Sequence, residues 1–199
     1  MSSLPPADHD GHHRLPSGVH LRELTPHADE RGSFTEIFRQ RWDPSVTPIQ
    51  WNAVRSEAGV LRGVHAHLHH ADYLTVPLGR ATIGLRDLRP SSRTYGSSTM
   101  VELGDTHPAA LVIPPGVAHG FYFHTPSLHV YAVSCYWDRA DELGCRWDDP
   151  ALEIDWPSRP RLVSERDAAL GTVADLERAI ATGSPTQSVR VWEADPGPG

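Results

Sequence analysis

The sequence predicts an all-β fold, an antiparallel sandwich or barrel, followed by one short helix. Short segments alternate between apolar and polar residues, and glycine and proline turn signals separate them. These segments cover residues 33–39, 73–76, 81–85, 110–113 and 129–136. Many short strands at close spacing are typical of sandwiches and barrels. Residues 173–181 differ, because Val173, Leu176 and Ile180 fall on one face of a helix.

The length of 199 residues is enough for one domain with a sizeable core. We expect residues 1–18 to form a mobile arm, residues 19–182 a single domain, and residues 183–199 a flexible tail. Both ends are rich in turn-forming residues and show no periodicity. No basic segment followed by an apolar stretch opens the chain, and no apolar run is long enough for a membrane span. A cytoplasmic location is therefore expected.

The charged residues exclude some functions. The net charge is -7 with neutral histidines, which argues against a nucleic-acid binder. All 18 basic residues are arginines, so lysine chemistry is excluded and anionic ligands must be met by guanidinium groups. The two cysteines, Cys135 and Cys145, are expected to be free thiols.

A set of short motifs runs through most of the chain, in one order. They are Asp29-Glu30-Arg31-Gly32 with Phe34 and Glu36, Gln50 with Asn52, Leu61-Arg62-Gly63-Val64-His65, Asp87-Leu88-Arg89, Ile113-Pro114-Pro115-Gly116-Val117-Ala118-His119-Gly120-Phe121, Tyr131, Trp147-Asp148-Asp149-Pro150, Ile154-Asp155-Trp156-Pro157 and Ser164-Glu165-Arg166-Asp167. Each motif alone is weak. As an ordered set over residues 21–170, they resemble the dTDP-4-dehydrorhamnose 3,5-epimerase family.

The resemblance implies a cupin jelly-roll and a nucleotide-sugar epimerase. Such an enzyme would act on a dTDP-4-keto-6-deoxyhexose at C3, C5 or both, through an enolate. It implies His65 as the base, Asp167 as the carboxylate that orients and stabilises it, and Tyr131 as the acid. Histidine suits the base because it titrates near neutrality. The resemblance also implies no cofactor, and a homodimer that exchanges its N-terminal strands.

Further positions match the family's contacts to the dTDP-sugar. Arg31, Arg62 and Arg166 would hold the diphosphate and the sugar, since guanidinium groups pair well with phosphate. The remaining matches would recognise the base or line the sugar pocket, and they are Glu36, Gln50, Asn52 and His119. His67 and Trp137 are expected to contact the substrate as well, although they replace the family's residues.

Three positions depart from the family. His67 stands where the family has a glutamine, Trp137 where it has a tyrosine, and Asp72 where it has the lysine that neutralises the enolate. His67 and Asp72, together with His65 and His119, also follow the general metal-binding cupin pattern. Three histidines and a carboxylate would bind Zn, Fe, Ni or Mn. A metal on His65 would prevent that residue from acting as the base, so the metal-site and epimerase interpretations conflict at His65.

Two other functions stay open. The segment Arg62-Gly63-Val64-His65-Ala66-His67 is also similar to dTDP-sugar 3,4-ketoisomerases, which move a ketone between C3 and C4 by proton shuttling. Of the two open functions, one is a metal-dependent cupin acting as keto-sugar isomerase, lyase or oxygenase, which the metal-binding pattern allows. The other is an inactive sugar-nucleotide binder, allowed by the missing lysine. His69 and His70 are expected to be turn residues, and Asp167 could instead cap a helix.

Overall fold

The computed structural model describes residues 15–43, 45–138 and 141–182. Residues 1–14 of the expected arm and all of the expected tail, 183–199, lie outside the described residues. Residues next to the arm's expected end contact the domain: Leu15 packs against the core, and the N–H of Ser17 donates to Thr94 Oγ1 at 2.7 Å. The domain therefore extends to Leu15.

The described residues form twelve strands and few helical turns. The strands are β1 (His20–Glu23), β2 (Pro26–Asp29), β3 (Gly32–Thr35), β4 (Gln50–Ser56), β5 (Leu61–Ala66), β6 (Asp72–Leu78), β7 (Arg80–Asp87), β8 (Ser98–Gly104), β9 (Ala109–Ile113), β10 (Val117–Phe123), β11 (Ser127–Val133) and β12 (Leu143–Gly144). A 3₁₀ turn spans Pro150–Leu152, and the helices are α1 (Glu165–Ala168) and α2 (Val173–Thr182). The expected helix at 173–181 is thus confirmed.

Two five-stranded antiparallel sheets make up the body of the domain. One has the order β1-β9-β6-β11-β4 and the other β12-β5-β10-β7-β8, while β2 and β3 form a separate hairpin. Alternate side chains of both sheets meet in a core whose largest members include Leu74, Ile83, Leu85, Leu111 and Phe123. This arrangement confirms the predicted jelly-roll.

Helix α2 packs on the outside of the second sheet. Its buried face carries Val173, Leu176 and Ala179, the spacing that places residues on one side of a helix. These side chains share a hydrophobic cluster with Leu143 and Leu152. The helix therefore helps to hold the segment around β12 beside β5, where the site lies. No helix in the described part of the chain is long and apolar enough to cross a membrane.

Candidate active site

A cavity of about 280 Å³ is lined by strands of both sheets and by the segment after β11. The sequence-predicted residues that line it are Arg62, His65, His67, Asp72, His119, Tyr131, Trp137, Arg166 and Asp167. The cavity also has lining residues that carried no sequence prediction as ligands or catalysts: Val54, His70, Leu74, Phe121, His129, Val133, Glu142 and Ser164.

The strand register explains why these residues meet. His65 on β5 lies directly opposite His119 on β10 in one sheet. Tyr131 and Asp72 belong to the other sheet, where β11 pairs with β6. Gly63 allows the close approach of β5 and β10, because a Cβ there would lie 2.9 Å from the backbone oxygen of His119, at a φ of +106°.

His65 and Asp167 form a hydrogen-bonded pair across 102 residues of sequence. The distance from His65 Nε2 to Asp167 Oδ1 is 2.8 Å, and the other carboxylate oxygen accepts the Gly63 N–H at 3.1 Å. Burial works to raise the pKa of Asp167, but the hydrogen bonds from His65 and Gly63 outweigh it and lower the pKa overall. Asp167 is therefore an ionised acceptor, and His65 carries its hydrogen on Nε2. Nδ1 is then the ring atom left to take a proton.

Asp167 reaches this place from α1, a single helical turn. The turn begins at Ser164, whose hydroxyl accepts the Asp167 N–H at 3.0 Å. Ser164 is thus the N-cap, and the alternative interpretation of Asp167 as the helix cap is wrong. The side chain of Asp167 is free for His65 instead.

Tyr131 presents its ring to the same cavity. The residue is partly buried, and burial raises the pKa of its phenol, with Glu142 and Asp72 adding to the effect. The phenol therefore stays protonated at neutral pH and is available as a proton donor.

Asp72 lies at the centre of a group of buried histidines. Its Oδ2 is 3.6 Å from His67 Nε2 and 3.7 Å from His119 Nε2, and its Oδ1 is 3.8 Å from His70 Nε2. Burial raises the pKa of Asp72, and the negative charges of Glu142 and Asp141 raise it further. Burial also lowers the pKa values of His67 and His119 to about 3. His70 lies in the loop between β5 and β6, as expected of a turn residue, but it is buried and lines the cavity.

Sequence reasoning missed two acidic side chains at the site, Glu142 and Asp141. Glu142 Oε1 is 3.5 Å from His67 Nδ1, and its other oxygen accepts from Arg166 at 3.1 Å. Asp141 holds the turn before β6 by accepting the backbone N–H groups of Leu68 and His69 and by pairing with His70 Nδ1 at 3.0 Å. Glu142 and Asp141 belong to no sequence motif. They lie at the site because the chain returns beside β5 at β12, directly after them.

Four predicted substrate contacts do not line the cavity of their own chain. Arg31 lies on the exposed β2–β3 hairpin and pairs with Asp29 at 2.5 Å, and Glu36 pairs with Arg39. Gln50 accepts the backbone N–H of Trp137 at 3.0 Å and donates to Asn52 at 3.1 Å. Gln50 and Asn52 therefore adjoin the cavity without lining it, since they lie on β4 opposite Val133 and Tyr131 of β11. Arg31 and Glu36 do not line it within one chain.

Comparison with known proteins gives a consistent result. The family model of the dTDP-4-dehydrorhamnose 3,5-epimerases matches residues 15–175. The dTDP-4-dehydrorhamnose 3,5-epimerase of Pseudomonas aeruginosa is 34% identical over 171 residues, which are 80% of this chain and 93% of that protein.

Solved structures agree with the sequence comparison. The ChmJ 3'-monoepimerase of Streptomyces bikiniensis, in complex with dTDP-quinovose, has a TM-score of 0.78 and 28% identity, covering 88% of this chain and 92% of its own. The RmlC epimerase of Mycobacterium tuberculosis has a TM-score of 0.75 and 31% identity, covering 86% and 90%. Both likenesses therefore cover most of this chain and of the matched structures.

Proposed function

The chain belongs to the dTDP-4-dehydrorhamnose 3,5-epimerase family, and we propose that it epimerises a dTDP-4-keto-6-deoxyhexose at C3, C5 or both. The observation that carries the proposal is the hydrogen bond between His65 and Asp167 at a cavity that Tyr131 also lines. A base with its orienting carboxylate and a separate neutral acid is the set that inversion through an enolate requires.

The proposed reaction moves protons only. The C4 ketone acidifies the neighbouring C–H bond, and His65 Nδ1 takes that proton while the electron pair passes to the ketone oxygen. Ionised Asp167 stabilises the resulting imidazolium through its bond to Nε2. The enolate then collapses back to the ketone and takes a proton at carbon from Tyr131, on the opposite face. No redox cofactor is needed, since the substrate is neither oxidised nor reduced.

The two proton-transfer groups come from facing sheets, which supports opposite-face chemistry. His65 belongs to β5 and Tyr131 to β11, and both line the same cavity. Removal of a proton on one side and its return on the other inverts the carbon. If both steps took place on the same face, the starting sugar would be restored.

Arginines in the cavity support binding of a nucleoside diphosphate. Arg62 and Arg166 both line it, and guanidinium groups bind phosphate oxygens in pairs. Trp137, which is 47% exposed, offers an aromatic face on which a base could stack. We propose that the dTDP moiety lies between these groups, with the sugar directed towards His65.

We propose a homodimer in which the β2–β3 hairpin reaches the partner's cavity. Arg31 and Glu36 carry predicted substrate contacts and yet do not line the cavity of their own chain. On the same hairpin, Phe34 is 64% exposed, an apolar side chain that a partner could cover. Sedimentation equilibrium of wild type and Phe34→Asp tests this proposal. A monomeric wild-type protein would contradict it.

We also propose that the protein works in the cytoplasm. Cys135 and Cys145 are both free thiols, which is usual in a reducing compartment. Cell fractionation with an antibody against the chain would check the location.

Deuterium exchange tests the proposed activity. The protein is incubated with dTDP-4-keto-6-deoxyglucose in deuterated water, and incorporation at C3 and C5 is followed by proton NMR. We expect exchange in the wild type and in a surface control, His107→Asn, and none above background in His65→Asn.

Each other outcome points to a different function. Tight binding of dTDP without exchange at either carbon would favour the inactive binder. A product with its ketone at C3 would favour the 3,4-ketoisomerase reaction.

A further inference from the structure

The group of side chains around Asp72 has no task in the proton transfers described above. We propose that His67, Asp72 and His119 form a binding site for one divalent transition-metal ion, with zinc as the best match. Their nearest donor atoms all lie within 4.8 Å of one another, and all three residues are buried. Two imidazoles and one carboxylate are a common zinc ligand set, and three protein ligands leave one position open.

The backbone fixes the tautomer of both histidines in the form that binds metals. His67 Nδ1 faces the backbone oxygen of Asp141 at 3.3 Å, and His119 Nδ1 faces that of Val117 at 3.1 Å. A carbonyl oxygen only accepts, so each Nδ1 carries the hydrogen. In the neutral ring Nε2 then has a bare lone pair, and both Nε2 atoms face Asp72 Oδ2. Metal-binding histidines are held by such Nδ1–H bonds.

The distances suit a shared cation better than direct hydrogen bonds. The Nε2 atoms of His67 and His119 lie 3.6 and 3.7 Å from Asp72 Oδ2, longer than a hydrogen bond. Ligand bonds of about 2.1 Å in a tetrahedron place neighbouring donor atoms about 3.4 Å apart. The lone pairs of the two Nε2 atoms repel the carboxylate of Asp72. A cation between these three donor atoms would attract all of them.

His70 and Asp141 complete the surroundings of the proposed site. His70 Nδ1 pairs with the Asp141 carboxylate at 3.0 Å, and its Nε2 lies 3.8 Å from Asp72 Oδ1. Asp141 also supplies the backbone oxygen that holds His67. One residue thus orients two of the imidazoles around Asp72.

The site leaves His65 free, which removes the conflict between base and ligand. The expected metal set contained His65, but the structure pairs His65 Nε2 with Asp167 instead. The chain has no lysine, and Asp72 stands where the family has the lysine that neutralises the enolate. If the proposed epimerase function holds, a bound cation would supply the positive charge at this side of the cavity.

Metal binding is measured apart from activity. The full chain, purified without chelator and without a metal column, is analysed for metal by mass spectrometry. The stripped protein is then titrated with Co²⁺, whose visible absorption reports the ligand geometry. We expect about one equivalent of metal and a saturable tetrahedral Co²⁺ spectrum. Asp72→Asn and His67→Ala should weaken Co²⁺ binding by about 100-fold or more, beyond what loss of an outer partner costs.

Two controls guard against binding elsewhere and against misfolding. A variant with His9, His12 and His13 changed to Ala should keep the full Co²⁺ affinity, which excludes capture near the N-terminus. His119→Gln provides a third ligand change, and circular dichroism identifies which ligand variants are folded. Folded ligand variants that bind Co²⁺ as tightly as the wild type would overturn the proposal.

The metal site and the epimerase function can fail separately. His65→Asn should bind Co²⁺ like the wild type while losing deuterium exchange. A wild-type protein that exchanges deuterium but shows no saturable Co²⁺ binding would overturn the metal site alone. Full Co²⁺ binding without exchange on the keto sugar would support the site and contradict its role in epimerisation.

Discussion

Replacing Asp167 by Asn tests how the His65 base is held. The carboxylate accepts two hydrogen bonds, from His65 Nε2 at 2.8 Å and from the Gly63 N–H at 3.1 Å. Asparagine has nearly the same shape but offers one acceptor and one donor group. If its oxygen keeps the Gly63 N–H, its NH₂ group faces His65 and must donate to Nε2. The ring hydrogen then moves to Nδ1, and Nδ1 can no longer take a proton.

The expected loss follows from this tautomer change. The same substitution in a serine-protease triad lowers kcat about 10⁴-fold with the geometry kept. A factor of 10⁴ corresponds to about 5 kcal/mol of transition-state stabilisation. The substrate touches Asp167 only through His65 in the proposed mechanism, so KM should change little. We therefore expect a loss in kcat of about 10⁴-fold for Asp167→Asn.

The assay is the initial rate of deuterium incorporation from the solvent, measured over a range of substrate concentrations. Asp175→Asn is the matched control, because Asp175 also lies in the first turn of a helix, at the surface and outside the cavity. It should keep the wild-type kcat. An Asp167→Asn protein that folds and exchanges within tenfold of the wild type would refute the assigned orienting role.

Two further substitutions test the acid and the stability of the scaffold. Tyr131→Phe should slow inversion by about 10²- to 10⁴-fold, the usual contribution of a general acid. Deuterium from the solvent should still be incorporated at carbon with the starting configuration retained. NMR of the product distinguishes this exchange from inversion. Hydrogen bonds from Arg89, Ser92 and Thr94 overcome the effect of burial and lower the pKa of Asp87 to about 2. Against an unfolded pKa of about 3.9, this adds about 2 to 3 kcal/mol of stability, which is present above the unfolded pKa and is lost as the pH falls through the folded pKa near 2. In urea unfolding at pH 7, Asp87→Asn should be less stable than the wild type by this amount, and the difference should shrink towards pH 2. A difference that does not change with pH would contradict the prediction.

The sequence anticipated the parts of the fold and site that depend on local pattern. Period-two alternation and turn residues marked strands such as β7 and β9, and helical spacing marked α2. His65 and Asp167 were paired through a resemblance that spans the chain, and they lie 2.8 Å apart. The functional roles of both residues stay predictions until they are measured.

The remaining parts depend on contacts that no local pattern encodes. Asp141 and Glu142 meet His67 from more than 70 residues away, through a segment with no periodic signal. His70 follows a turn, and turn residues are usually exposed. It is buried here because Asp141 accepts three hydrogen bonds from the same turn, two from backbone N–H groups and one from His70 itself. Such long-range contacts are determined by the folded structure and cannot be predicted from a local sequence pattern.

Asp72, which the resemblance places at the position of the family's lysine, leads to the last prediction about the cavity. In a chain without lysine, the groups that can place a positive charge beside an enolate are arginine, a protonated histidine and a bound cation. Arg62 and Arg166 are the two arginines that line the described cavity, and both are assigned to the diphosphate in the proposed binding mode. If a cation does the work, Asp72→Lys should replace it: deuterium exchange should persist in a chelator that abolishes exchange in the wild type. Asp72→Asn, which removes the ligand without adding a charge, should be slow with or without chelator. An Asp72→Lys protein that folds and still loses exchange on chelation would show that the positive charge does not come from this position.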